Sequence, residues 1–72
     1  PASLAKAETL VEALPYLQRA WAAQKDAEVA AHLGDVLWAL GRLDEAKVVW
    51  REGERLDADN RALKRSLQKL AP

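Results

Sequence analysis

Two amphipathic runs of similar length, joined by a three-residue link, constrain this chain more than any other feature. They occupy Ala27 to Asn60, AEVAAHLGDVLWALGRLDEAKVVWREGERLDADN. At helical spacing, Ala30, Leu33, Leu37 and Leu40 fall on one face of the first run. Ala46, Val49, Trp50, Gly53 and Leu56 fall on one face of the second. A helix needs that i, i+3, i+4, i+7 pattern to bury one stripe. The link Gly41-Arg42-Leu43 is too short for anything but a fold-back, so the two helices form an antiparallel pair. Gly41 stands just past the first helix, where a left-handed residue commonly ends the turn. Asp44 and Glu45 place negative charge in the first turn of the second helix, where the helix dipole favours it. Gly34 and Ala46 are small where the backbones are expected to meet, and Leu37 and Trp50 are large where space remains.

Taken together, these positions resemble the tetratricopeptide repeat (TPR), a helix-turn-helix unit. The resemblance rests on Leu33-Gly34, Leu37, Gly41, Asp44-Glu45-Ala46, Trp50, Gly53 and the closing Leu56-Asp57-Ala58-Asp59-Asn60. Two positions depart from the family pattern: Ala30 stands for an early Trp and Ala58 for a Pro. The first implies a smaller core plug and the second a softer turn.

Upstream, Val11, Leu14, Leu17, Ala20 and Trp21 make an apolar face with Pro15 inside it. This segment is similar to the second helix of a TPR unit: Glu12-Ala13, Leu17 and Ala20 repeat Glu45-Ala46, Trp50 and Gly53. Ser3 is expected to cap a short remnant of a first helix over residues 3–8. Thr9-x-x-Glu12 matches a capping box, so a break or kink is expected near residues 8–11. Gln24-Lys25-Asp26 links to the next helix, with Asp26 as its N-cap. Downstream, Asp59 or Asn60 caps a helix from Arg61 to Leu70, with a seam of Leu63, Leu67 and Leu70. It resembles the solvating helix that closes a TPR stack.

The expected fold is all-α: an antiparallel helix-turn-helix TPR-like array of about one and a half repeats with a C-terminal capping helix. One domain is expected over residues 1–72, divided into a partial repeat (1–26), a complete unit (27–60) and a cap (61–72). Such a short array has a thin core, which Trp21, Trp38 and Trp50 enlarge. The chain begins at Pro1 without Met, as a fragment or processed product would.

Composition narrows the function. Net charge is 0, from 11 basic and 11 acidic residues, so nothing pulls the chain generally towards nucleic acid or an anionic membrane. No apolar run is long enough to enter a bilayer, so direct membrane insertion is not expected. There is no Cys and no Gly-rich phosphate loop, and Ser3, Thr9 and Ser66 have no His near them in sequence. An enzyme is not expected, nor a cofactor. His32 forms i, i+4 and i, i+3 pairs with Glu28 and Asp35, but no further His or Cys completes a metal set. Arg61, Lys64, Arg65 and Lys69 read as a solvated cap face rather than a phosphate-binding stripe.

By the resemblance, the off-core side of the first helix lines a concave groove for a partner peptide or helix. The groove positions are then Glu28, Ala31, His32, Asp35 and Trp38, with Arg65 and Lys69 from the last helix; Ala39 lies beside them. Trp38 is the expected anchor, being a large aromatic off the core stripe. The plainer alternative is that Trp38 packs on its own helix. A TPR clamp for a terminal carboxylate needs Lys and Asn, whereas Ala31 and Asp35 hold those places and only Arg65 is basic. The resemblance therefore implies an interaction module, an adaptor or scaffold with a protein or peptide partner. The alternative is a structural segment that caps a larger array or forms a homodimer through its N-terminal face at Leu14 and Leu17. The stretch is also similar to repeats of bacterial TPR proteins, some of them envelope lipoproteins, which leaves cytoplasm and periplasm both open.

Overall fold

In a computed structural model, the chain forms four α-helices and a terminal 3-10 turn. The structure describes residues 2–71, with side chains from Thr9 onward. The helices are α1 (Ala2–Ala23), α2 (Ala27–Ala39), α3 (Leu43–Leu56) and α4 (Arg61–Leu67), with the turn at Gln68–Leu70. No strand occurs among the described residues, and no described helix is long and apolar enough to cross a membrane.

The central pair follows its sequence signals. The Asp26 side chain caps α2, accepting the Glu28 amide at 2.7 Å. Gly41 has φ +85, the left-handed conformation that lets the chain reverse into α3. Arg42 precedes α3 without capping it through its side chain, and Asp44 and Glu45 occupy the first turn. Asn60, rather than Asp59, caps α4, accepting the Leu63 amide at 2.9 Å. Asp57 stabilises the tight turn before it by accepting the Asp59 amide at 3.1 Å.

α2 is the hub. α1, α3 and α4 all pack on it, α3 also meets α4, and α1 is not packed directly on α3 or α4. With three neighbours, α2 is buried on far more than one stripe: Ala27, Ala30, Ala31, Leu33, Gly34, Val36 and Leu37 are all buried. Trp50 on α3 and Leu63 on α4 are the largest fully buried side chains, at 0% and 1% exposure. Truncating a buried side chain of Trp size typically costs about 3–5 kcal/mol.

The glycines show where the helices fit together. A Cβ on Gly34 would lie 2.1 Å from Trp50 Nε1, so Gly34 is a slot for the indole rather than a meeting point with Ala46. α2 and α3 also fit closely at Ala30 and Gly53, where a Cβ on Gly53 would lie 2.6 Å from Ala30 Cβ. The Ala at position 30 is thus part of a small–small contact that draws α2 onto α3.

Three expectations need correction. The break near residues 8–11 is absent: α1 runs for 22 residues through Pro15, so the expected remnant over 3–8 belongs to that same helix. Thr9 and Glu12 accordingly lie inside the helix and not at its start. Pro15 removes one donor, to the Val11 carbonyl, and both residues are exposed, so water can serve that acceptor. Val11, placed on the apolar face, is 58% exposed. Leu56, placed on the buried face of the second run, is 51% exposed at the last position of α3. The expected Ser3 cap lies outside the described side chains.

Candidate functional site

α2 and α4 lie side by side and present one continuous face. Two polar clips hold them together. Glu28 Oε1 accepts from Asn60 Nδ2 at 3.1 Å, so the residue that caps α4 also ties it to the start of α2. Lys69 Nζ lies 3.2 Å from Asp35 Oδ1, tying the 3-10 turn to the middle of α2. Both clips are exposed, where such contacts contribute about 0–1 kcal/mol. Their role is to fix the spacing of the two helices.

The groove positions named from the sequence separate into distinct environments. His32 is exposed and its Nε2 is 3.4 Å from Glu28 Oε2, one helical turn away. Asp35 is half-buried and engaged by Lys69. Lys69 Nζ also lies 5.9 Å from the centroid of the Trp50 ring. Arg65 is exposed, with no ion pair among the described residues. Ala39 is exposed at the end of α2. Ala31 is 1% exposed: its side chain lies in the core, and its carbonyl accepts the Trp50 indole N–H at 3.4 Å.

Trp38 is half-buried. Its ring lies 5.4 Å from that of Trp50 at 34°. That is a tilted aromatic contact between a half-buried ring and a core ring. Trp38 therefore belongs partly to the packing of α2 on α3 and partly to the surface beside Asp35.

Sequence reasoning missed a second feature on the opposite side. α1 and α3 lean on α2 from its outer side and leave a cleft of about 420 Å³ between them. Trp21, Leu33 and Leu37 form its floor, and Val48 and Val49 one wall. Asp44 and Glu45 stand at its edge on α3. The Arg42 guanidinium donates to both Glu45 carboxylate oxygens, which holds the Glu45 carboxyl below its ordinary range and raises Arg42. Lys25 borders the same region, with Nζ 3.5 Å from Glu52 Oε1 and 4.4 Å above the Trp21 ring. The sequence signal was Val48, an apolar residue off the α3 stripe, but only the positions of three helices turn it into a wall.

The family model of the tetratricopeptide repeat matches residues 4–70 of the chain. No curated protein and no solved structure matches it.

Proposed function

This chain belongs to the tetratricopeptide repeat family, whose repeats mediate protein–protein interaction, and we propose from that premise that it is an adaptor or scaffold module that holds a peptide or helix of a protein partner on the α2–α4 face. The observation that carries this reading is the arrangement of Trp38 and its neighbours. A half-buried indole has its inner side fixed by Trp50, so its outer edge is already positioned when a partner arrives. A preordered aromatic contributes contact area at little entropic cost. α2, α4 and the turn that follows carry groups with spare hydrogen-bonding capacity: the Glu28–His32 pair, the Asp35–Lys69 pair and Arg65, which has no ion pair among the described residues. Because Asp35 and Lys69 largely offset each other, a partner segment of mixed charge suits this face better than a strongly acidic or basic one. Ala31 contributes from beneath, as the acceptor that orients Trp50.

The test is capture of partners from a cell lysate by the native chain, followed by measured affinity for the partner recovered. Trp38→Ala, with its fold verified by circular dichroism, and the exposed Arg65→Glu are each expected to weaken binding about tenfold or more, as interface anchors do. Arg19→Asp, exposed on α1 and away from the α2–α4 face, serves as the control and is expected to bind as the native chain does. A partner held equally by the native chain, Trp38→Ala and Arg65→Glu would rule this face out.

A further inference from the structure

The outer face of α3 has a charge order that complements itself. Asp44, Lys47, Val48, Arg51 and Arg55 fall at i, i+3, i+4, i+7 and i+11, and all five are exposed. The acid stands at the N-terminal end, the cations towards the C-terminal end, and an apolar residue lies between them. Val48 is 65% exposed and forms a wall of the outer cleft, and Leu43, five residues earlier at the start of α3, is 42% exposed. From this geometry we propose that the outer face of α3 is a docking surface for a second copy of the chain, formed by two α3 helices packed antiparallel about a two-fold axis.

With the axis between Lys47 and Val48, Asp44 of each copy meets Arg51 of the other, and the pair is made twice. A two-fold interface requires this: the same patch must complement itself. Parallel packing would instead set Asp44 against Asp44 and Arg51 against Arg51. The Val48 side chains come to the centre, over the mouths of the clefts, and the aliphatic stem of Lys47 covers the apolar wall. Arg51 is available for this contact, since its own-helix partner Glu54 is an exposed one at 3.3 Å. Asp44 has no side-chain partner among the described residues. The two Asp44–Arg51 pairs offset part of the like charge that Lys47 and Arg55 bring to the patch, and the chain as a whole has a net charge of 0. One helix pair buries less than about 1,200 Å², so the dimer is of the weak, reversible kind. It also leaves the α2–α4 face free for a partner and would present two such faces per assembly.

Sedimentation equilibrium of the full chain from about 10 µM to about 1 mM covers the range in which small interfaces associate. The expected result is a rise from monomer to dimer mass within that range. Val48→Glu is expected to hold the chain at monomer mass. Asp44→Arg and Arg51→Asp are each expected to weaken association about tenfold or more, and the double variant Asp44→Arg/Arg51→Asp to restore it, since the pair then forms with its charges exchanged. Restoration separates docking from helix stability. An Arg at position 44 opposes the α3 dipole in the single and the double variant alike. Monomer mass throughout would overturn the proposal. So would a dimer that the double variant fails to restore, or one abolished by Leu14→Lys on α1 and indifferent to Val48→Glu.

Discussion

Gly34→Ala should unfold this chain more readily, although the substitution improves helix propensity. In an exposed helix interior, Ala is better than Gly by about 0.8–1.0 kcal/mol. Position 34 is not such a place. The new Cβ would lie 2.1 Å from Trp50 Nε1, 2.4 Å from Cδ1 and 2.6 Å from Cε2. These are ring atoms and cannot yield by rotating a flexible end. The ring cannot retreat freely either: Trp50 is 0% exposed, Trp38 lies against it, and its N–H is held by the Ala31 carbonyl. Overpacking of this kind costs about 1–3 kcal/mol. Displacing the indole also gives up a buried hydrogen bond worth about 0.5–1.5 kcal/mol. Set against the propensity gain, the expected net loss is about 1–3 kcal/mol. The native total for a domain of this length is roughly 4–11 kcal/mol, so the loss is a large share of it. Urea unfolding followed by far-ultraviolet circular dichroism measures it. A loss of about 1 kcal/mol should lower Tm by about 4–8 °C in so small a domain. A second arm isolates the cause. In a Trp50→Leu background, Gly34→Ala should be neutral or stabilising by up to about 1 kcal/mol, because the ring that opposed it is gone. A Gly34→Ala chain as stable as the native one, or equally destabilised in both backgrounds, would refute the account.

Three further outcomes follow from local geometry. Gly41→Ala should cost about 1–2 kcal/mol by thermal unfolding, since φ +85 strains any side chain while nothing crowds the site; Gly41→Asn should cost less. Asn60→Ala should cost about 1 kcal/mol or somewhat more and lower helical ellipticity through fraying of α4, because it removes a cap and the Glu28 clip together. Arg42 depresses the Glu45 pKa through its hydrogen bonds, so the pair's small contribution is present above the unfolded Glu value of about 4.3 and is lost as pH falls through the lower folded value. Arg42→Gln should therefore flatten the dependence of Tm on pH below about 4, and a native-like acid limb in that variant would contradict the assignment.

The parts of the fold legible in the sequence were those fixed by local chemistry. Gly41, Asp26 and the Asp44-Glu45 start define α2 and α3 because caps and turns act within a few residues. Periodicity read the α2 stripe correctly at Ala30, Leu33 and Leu37, yet it missed Ala27, Ala31 and Val36, which are also buried. A stripe describes one contact surface, whereas α2 has three. Pro15 misled in the opposite way: a proline rule weighs the lost hydrogen bond, but the acceptor it strands belongs to an exposed residue, Val11. At the candidate site, the positions on α2 and α4 could be named from the repeat pattern. What could not be named were pairings between residues far apart in sequence: Glu28 with Asn60, Asp35 with Lys69, and Trp38 with Trp50. The outer cleft was invisible because its floor and wall come from three helices and no short motif marks it.

The dependence of α1 and α4 on one shared neighbour makes this molecule a short linear chain of couplings rather than a uniformly cooperative body. Each end helix can undock without disturbing the other, since neither contributes to the other's burial. Local opening should therefore proceed inwards from both ends. Amide exchange should be slowest along α2 and α3 and faster in α1 and in the Gln68–Leu70 turn. Opening at the α4 end would free Lys69 from Asp35 and release one wall of the α2–α4 face without loss of the central pair. The proposed partner-binding face can thus widen at an energy well below that of global unfolding, and undocking of the α4 end would admit a thicker occupant.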